Sequence, residues 1–131
     1  MKRKLISLVT LLTTALLSVF CFIACGDNVE PVAIILSQAV EENMTLLEVM
    51  QEKKTAGELD FQIENGMIVE INGTKNTTNS FWMLYTTDKD NANEQWGKFE
   101  WKGETLGSAV VGAEMLVVKQ GETYVWVYQS F

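Results

Sequence analysis

The sequence predicts an α+β domain in which one helix packs on a mixed sheet of about five strands. Three observations carry this. A single stretch, beginning near Thr45, combines helical periodicity with start and stop signals. Nearly everything after it falls into short alternating runs rich in β-branched and aromatic residues, broken by Asn, Gly and Thr. One short helix has an apolar stripe to bury, and a sheet face is the surface that can cover it.

Taken in order, "VAIILSQAV" (Val32–Val40) opens apolar and β-branched and reads as the first strand. In "NMTLLEVMQEKKTAG", Thr45 and Glu48 form a T-x-x-E capping box. Leu46, Val49 and Met50 share one helical face, which Leu47 extends. Lys53 and Lys54 suit the last turn, and Gly57 is the expected stop. "GMIVEING" alternates, with Met67, Val69 and Ile71 on one side and Ile68, Glu70 and Asn72 on the other; Asn72-Gly73 signals a turn. "TKNTTNS" reads as a polar loop. "SFWMLYTTD" is a strand with Phe81, Met83 and Tyr85 opposite Trp82 and Leu84. A polar stretch, "DKDNANEQ", leads to a short strand or hairpin arm in "WGKFEWKGE". "EMLVVKQGETYVWVYQSF" closes the chain as two strands around Gln120-Gly121-Glu122. The order β, α, then about four strands gives a β-grasp-like layer architecture.

Upstream of this domain (32–131) the chain is of another kind. Lys2-Arg3-Lys4 precede twenty uncharged residues, Leu5 to Ala24, and small residues follow at the exit. That is the pattern of a secretory signal over residues 1–24. "FIAC" (Phe22–Cys25) resembles the bacterial lipobox. The resemblance implies cleavage after Ala24, diacylglycerol on Cys25, and residues 25–31 as a lipidated tether on the extracytoplasmic face of a cell membrane. Each buried methylene contributes ~0.8 kcal/mol, and a stable anchor needs two or more chains. Two other readings stand beside it. The apolar run is close to the ~20 residues of a membrane span, which would leave an uncleaved anchor. Cys25 would otherwise pair with a thiol, but Cys21 is the only other one and lies inside the run.

Composition narrows the function. The chain carries a net charge of −7. Residues 1–24 hold three of its ten basic residues and none of its seventeen acidic ones, leaving seven against seventeen, a net of −10. A surface of that sign argues against nucleic acid as a partner. There is no histidine, and cleavage would leave no free thiol. The commonest general base, metal ligand and cysteine nucleophile are therefore missing. No G-x-S-x-G, P-loop or G-x-G-x-x-G occurs. The expectation is a protein that binds rather than transforms, with no metal and no resident cofactor.

Four segments in order resemble the transcobalamin C-terminal-like domain family. They are "TLLEVM" (Thr45–Met50), "NGMIVEING" (Asn65–Gly73), "FWMLYTTD" (Phe81–Asp88) and "KQGETYVWVYQSF" (Lys119–Phe131). The resemblance covers roughly residues 45–131. It implies the β-grasp-like fold and a small-molecule ligand of the corrinoid class, cobalamin itself included. Two departures stand out. The tight turn after the Trp strand is replaced by the excursion "KDNANEQWGKFEWKG", and the acidic Asp-Gly-Asp turn is Gln120-Gly121-Glu122 here.

The excursion supplies three candidate ligand contacts, Trp96, Phe99 and Trp101, and Tyr85 on the strand before it is the fourth. Aromatic rings would stack a flat ring, a sugar or a protein loop. Trp82 and Trp126 read as core, since large aromatics are mostly buried. Asp88, Asp90 and Glu94 lie close in sequence. Ala92 stands where a calcium loop would want another oxygen ligand, so the stretch reads as a solvated acidic loop. A carboxylate-based hydrolase using these three is a further reading. The leading expectation is a surface lipoprotein with a small ligand-binding domain; the alternative is a protein–protein interaction module of a cell-surface assembly. Asn43, Asn72 and Asn76 each start an Asn-x-Thr triplet, which matters only in a host that glycosylates it.

Overall fold

The computed structural model describes residues 29–131. Cys25 and the predicted signal segment lie outside the described residues. In chain order the elements are β1 (Val32–Ile35), α1 (Leu46–Thr55), β2 (Phe61–Glu64), β3 (Met67–Ile71), β4 (Thr74–Lys75), β5 (Ser80–Thr86), β6 (Ala92–Trp101), β7 (Glu104–Ala109) and β8 (Thr123–Ser130). Among the described residues, no helix is long and apolar enough to cross a membrane.

The helix forms where the sequence places it. Thr45 Oγ1 accepts from the Glu48 N–H at 3.3 Å, and Glu48 Oε2 accepts from the Thr45 N–H at 3.1 Å. Two otherwise orphan donors are satisfied reciprocally. Leu46, Val49 and Met50 are buried on one face. The Ala56 N–H closes on Glu52 O, and Gly57 takes a φ of 77°.

The strands form two sheets, in the orders β1-β8-β5-β7-β6 and β2-β3-β4. Every pairing is antiparallel. This corrects the expectation of a single mixed sheet of about five strands. A parallel pair needs a long crossover that returns to its own sheet. The helical connection from β1 through α1 leads out of the large sheet into the small one. The α+β class stands, as two antiparallel sheets and one short helix among the described residues.

Three local differences have physical causes. β1 stops at Ile35 because its partner begins at Thr123; the Gly121 N–H then closes on Leu36 O at 2.7 Å. The segment "EMLVV" is not a strand. It alternates because Leu116 and Val118 are buried while Met115 and Val117 are exposed. Its backbone instead ties down the helix start: Leu46 N–H donates to Leu116 O at 2.8 Å, and Val118 N–H to Met44 O at 2.9 Å. In β3, Gln62 pairs with Glu70 but Ile63 pairs with Ile68, which leaves Val69 as an extra residue. The bulge breaks the alternation and turns both Ile68 and Ile71 into the core.

The small sheet and α1 cover one face of the large sheet. Trp82 Nε1 donates to Thr74 O at 2.8 Å, and Tyr128 Oη to Lys75 O at 2.6 Å. The two rings meet at 5.2 Å. Thus Trp82 on β5 and Tyr128 on β8 pin β4 to the large sheet. The main core includes Ile34, Leu46, Met50, Ile71, Leu116 and Tyr124. The opposite face of the large sheet carries a second, smaller cluster around Tyr85, Leu106, Val125 and Val127.

Candidate functional site: the aromatic row of β6

Lys102 (φ 47°) and Gly103 (φ 82°) form a two-residue turn between β6 and β7. It sets the register Trp101↔Glu104 and Phe99↔Leu106. Phe99 therefore points to the same face as Leu106, away from the helix. Further along, the ladder jumps from Lys98↔Gly107 to Asn93↔Ser108, and Glu94–Gly97 stand out as a four-residue excursion on β6. Gly107 makes this crossing close: a Cβ there would lie 3.0 Å from Ala92 Cβ and 3.2 Å from the Glu94 nitrogen.

The result is an aromatic row. The Tyr85 and Phe99 rings lie 5.6 Å apart, and Phe99 and Trp101 lie 6.3 Å apart at an interplanar angle of 24°. Tyr85 is only 4% exposed and its Oη donates to Gln129 Oε1 at 2.6 Å, so it forms the floor. Phe99 and Trp101 are half-buried. Lys102 Nζ sits 5.4 Å from the Trp101 ring centre and places one positive charge at the rim. The Trp101 Nε1 is buried without a hydrogen-bond partner. Trp96, on the excursion, is 66% exposed and makes no ring contact with the row among the described residues. The structure thus joins three of the four expected contact residues and sets Trp96 apart. Trp82 and Trp126 are core residues, as expected.

In the acidic stretch Asp90 and Glu94 are exposed, as a solvated loop requires, but Asp88 is not, which corrects the expectation for that residue. Asp88 is 2% exposed. Its carboxylate accepts from Asn91 Nδ2 at 2.8 Å, from the Asp90 N–H at 3.1 Å and from Lys119 Nζ at 3.0 Å. Lys119 also donates to Asp90 at 2.7 Å. Burial pushes the Asp88 carboxyl up, but the bonds from Asn91, Lys119 and the Asp90 N–H outweigh it and hold the group below the ordinary aspartate value. The same two carboxylates push the Lys119 ammonium up. The side chain stays cationic between the two carboxylates, and the described residues contain no group of three or more acidic, His or Cys side chains fit to hold a metal. Glu94 lies exposed on the excursion. Nearby, Tyr124 Oη accepts from the Lys119 N–H at 3.0 Å, and burial pushes its phenol up. Sequence reasoning missed Lys119. The D-x-x-N spacing of Asp88 and Asn91 was the available signal, because such side chains cap their own turns.

Comparison of the chain with protein-family models, with curated proteins and with solved structures found no match.

Proposed function

We propose that this chain is a binding lipoprotein, held by lipid on Cys25 at the extracytoplasmic face of a bacterial cell membrane, with the β6 row taking a flat ring ligand of the corrinoid class. The observation that carries the ligand reading is Trp101. Its Nε1–H is buried and unpaired beside the stacked Phe99. Its ring, half-exposed and stacked on Phe99 with Lys102 Nζ 5.4 Å from its centre, offers the flat surface on which a ring ligand would stack. The reading is of a binder and not an enzyme: Asp88, the one buried carboxylate among the described residues, is locked by Lys119 and Asn91. Membership of the transcobalamin C-terminal-like family and the β-grasp description belong to the same proposal. One helix over a five-stranded sheet supports them, and the separate β2-β3-β4 sheet is a departure.

A protein partner is the second reading. It is favoured by the exposure of Trp96 (66%), Phe131 (74%) and Ile35 (53%), which is more than a ligand of modest size would cover. The test uses the full chain in lipid nanodiscs, titrated with cobalamin and with cobinamide. Saturable binding of about −8 kcal/mol, weakened by Trp101→Ala, supports the corrinoid reading. No binding, with Trp96→Ala abolishing co-purification of a surface protein, supports docking. A Cys25→Ser chain is expected to leave the membrane fraction; its retention there would refute the lipid anchor.

A further inference from the structure

We infer that the end of the large sheet bearing Phe81 and Phe131 rests on the lipid surface of the membrane that holds the chain, with its exposed rings seated at headgroup level. The inference rests on the reading of Cys25 as the lipidated residue and adds to it a fixed orientation of the domain.

Chain length and direction carry it. β1 pairs antiparallel with β8, with Val32 opposite Trp126. Upstream of Val32 the chain therefore heads the way β8 runs on, from Trp126 to Ser130. The ring of Pro31 locks its φ and biases Glu30 towards extended backbone, which sustains that direction. Seven residues take the chain from Cys25 to Val32, a reach of at most about 25 Å. Over the same direction β8 covers about 14 Å from Trp126 to Ser130. Much of the tether therefore runs alongside the sheet, and a lipid on Cys25 holds this end nearest the bilayer.

The surface at this end suits lipid. Residues 76–87 and 123–131 contain no charged side chain, although residues 25–131 carry a net −10. Asp88, Asp90 and Glu122 stand at the opposite end, where β5 finishes and β8 begins. Phe131 is 74% exposed, yet its N–H donates to Asn79 O at 2.8 Å, which keeps it in register with β5. Its ring meets that of Phe81, 36% exposed, at 6.1 Å. Exposed apolar groups held together in this way mark a contact surface. Beside them, residues 76–79 form a neutral Asn- and Thr-built loop. Asn76 Oδ1 accepts from the Trp82 N–H at 2.9 Å, and the Thr77 N–H donates to Ser80 O at 2.8 Å. Aromatic rings flanked by neutral polar groups suit the boundary between headgroups and acyl chains. Asp27 and Glu30 on the tether hold the contact at that level, because carboxylates in hydrocarbon are costly.

The orientation leaves the β6 row open to the surroundings. β7 runs antiparallel to β5, with Gly107 opposite Thr86, so Glu104 and its partner Trp101 lie beyond the far end of β5. Of the exposed side chains that favour a protein partner, Phe131 is thereby assigned to lipid.

The test uses the full chain in phosphatidylcholine nanodiscs at one copy per disc, with a nitroxide on the lipid headgroup. Intact mass, which reports diacylglycerol on Cys25, tests the anchor separately. Paramagnetic broadening falls steeply with distance. The amide signals of Asn79 and Phe131 are expected to be lost, while that of Gly103 persists. Phe131→Ser, at an exposed position, should leave the fold and the disc association unchanged, weaken the broadening at Asn79 and spread it to Gly103. A lipidated chain that elutes with the discs but is broadened equally at Asn79 and Gly103 overturns the inference and leaves the anchor standing. Broadening at Phe131 that needs two copies per disc assigns the surface to a second chain and also overturns it. A chain without lipid on Cys25 refutes the anchor, and the orientation falls with it.

Discussion

Asp88 links the end of β5 to the turn before β8, and replacing it with asparagine isolates the contribution of its charge. The carboxylate accepts three hydrogen bonds while 2% exposed. Bonds to a charged group contribute about 1.5–3 kcal/mol each when well buried. The bond from Lys119 counts for less, since that side chain is 44% exposed. Asparagine retains one acceptor and presents an amide N–H₂ to either Asn91 or Lys119. A loss of about 3 kcal/mol at pH 7 follows, which for a domain near 100 residues lowers Tm by about 12–24 °C. The pH dependence is the sharper readout. The folded-state pKa of Asp88 is lowered, so its contribution is complete above the unfolded value near 3.9 and is lost as pH falls through the folded value. The stability gap between parent and Asp88→Asn should therefore be full at pH 7 and narrower at pH 3, below the unfolded value. Urea unfolding followed by tryptophan emission at both pH values measures it. An equal gap at the two pH values, or a gap under about 0.5 kcal/mol at pH 7, would refute the reasoning.

Three further outcomes are expected. Thr45→Ala removes the N-cap acceptor and should cost about 1 kcal/mol, read as a lower urea midpoint at unchanged slope. Leu116→Ala, at a fully buried position beneath the helix start, should cost about 2–5 kcal/mol and raise amide exchange at Leu46, whose N–H bonds Leu116 O. Gly107→Val would drive a side chain into Ala92 and the Glu94 backbone; it should cost about 1–3 kcal/mol and shift the indole resonances of Trp96 and Trp101.

The helix, β5 and β8 were legible in the sequence because their signals are local. A capping box, an alternation and an Asn-Gly turn each act within a few residues. What was not legible depends on partners far along the chain. The shortness of β1 follows from where β8 begins. "EMLVV" alternates like a strand, yet its alternation answers to the helix start and not to a neighbouring strand. β7, "ETLGSA" (Glu104–Ala109), is too poor in apolar residues to announce itself; only the Lys102-Gly103 turn and the β6 partner define it. In the candidate site, Phe99 and Trp101 could be read as a pair two residues apart on one strand. Their meeting with Tyr85 required a sheet in which β7 lies between β5 and β6. Asp88 looked solvated because its partner Lys119 is 31 residues away.

The Asn76 side chain has a consequence for how copies of this protein live beside one another. A sheet edge with free donors and acceptors is a template for another chain. Here each open edge of the large sheet is blunted differently. β1 is four residues long and follows Pro31, β6 is broken by its excursion, and the unpaired stretch of β5 is stoppered by Asn76. If lipid confines many copies to one surface, their local concentration is high and edge-to-edge pairing becomes the chief route to clumping. Asn76→Ala would uncap the Trp82 N–H, and the expected result is self-association at densities where the parent chain stays dispersed.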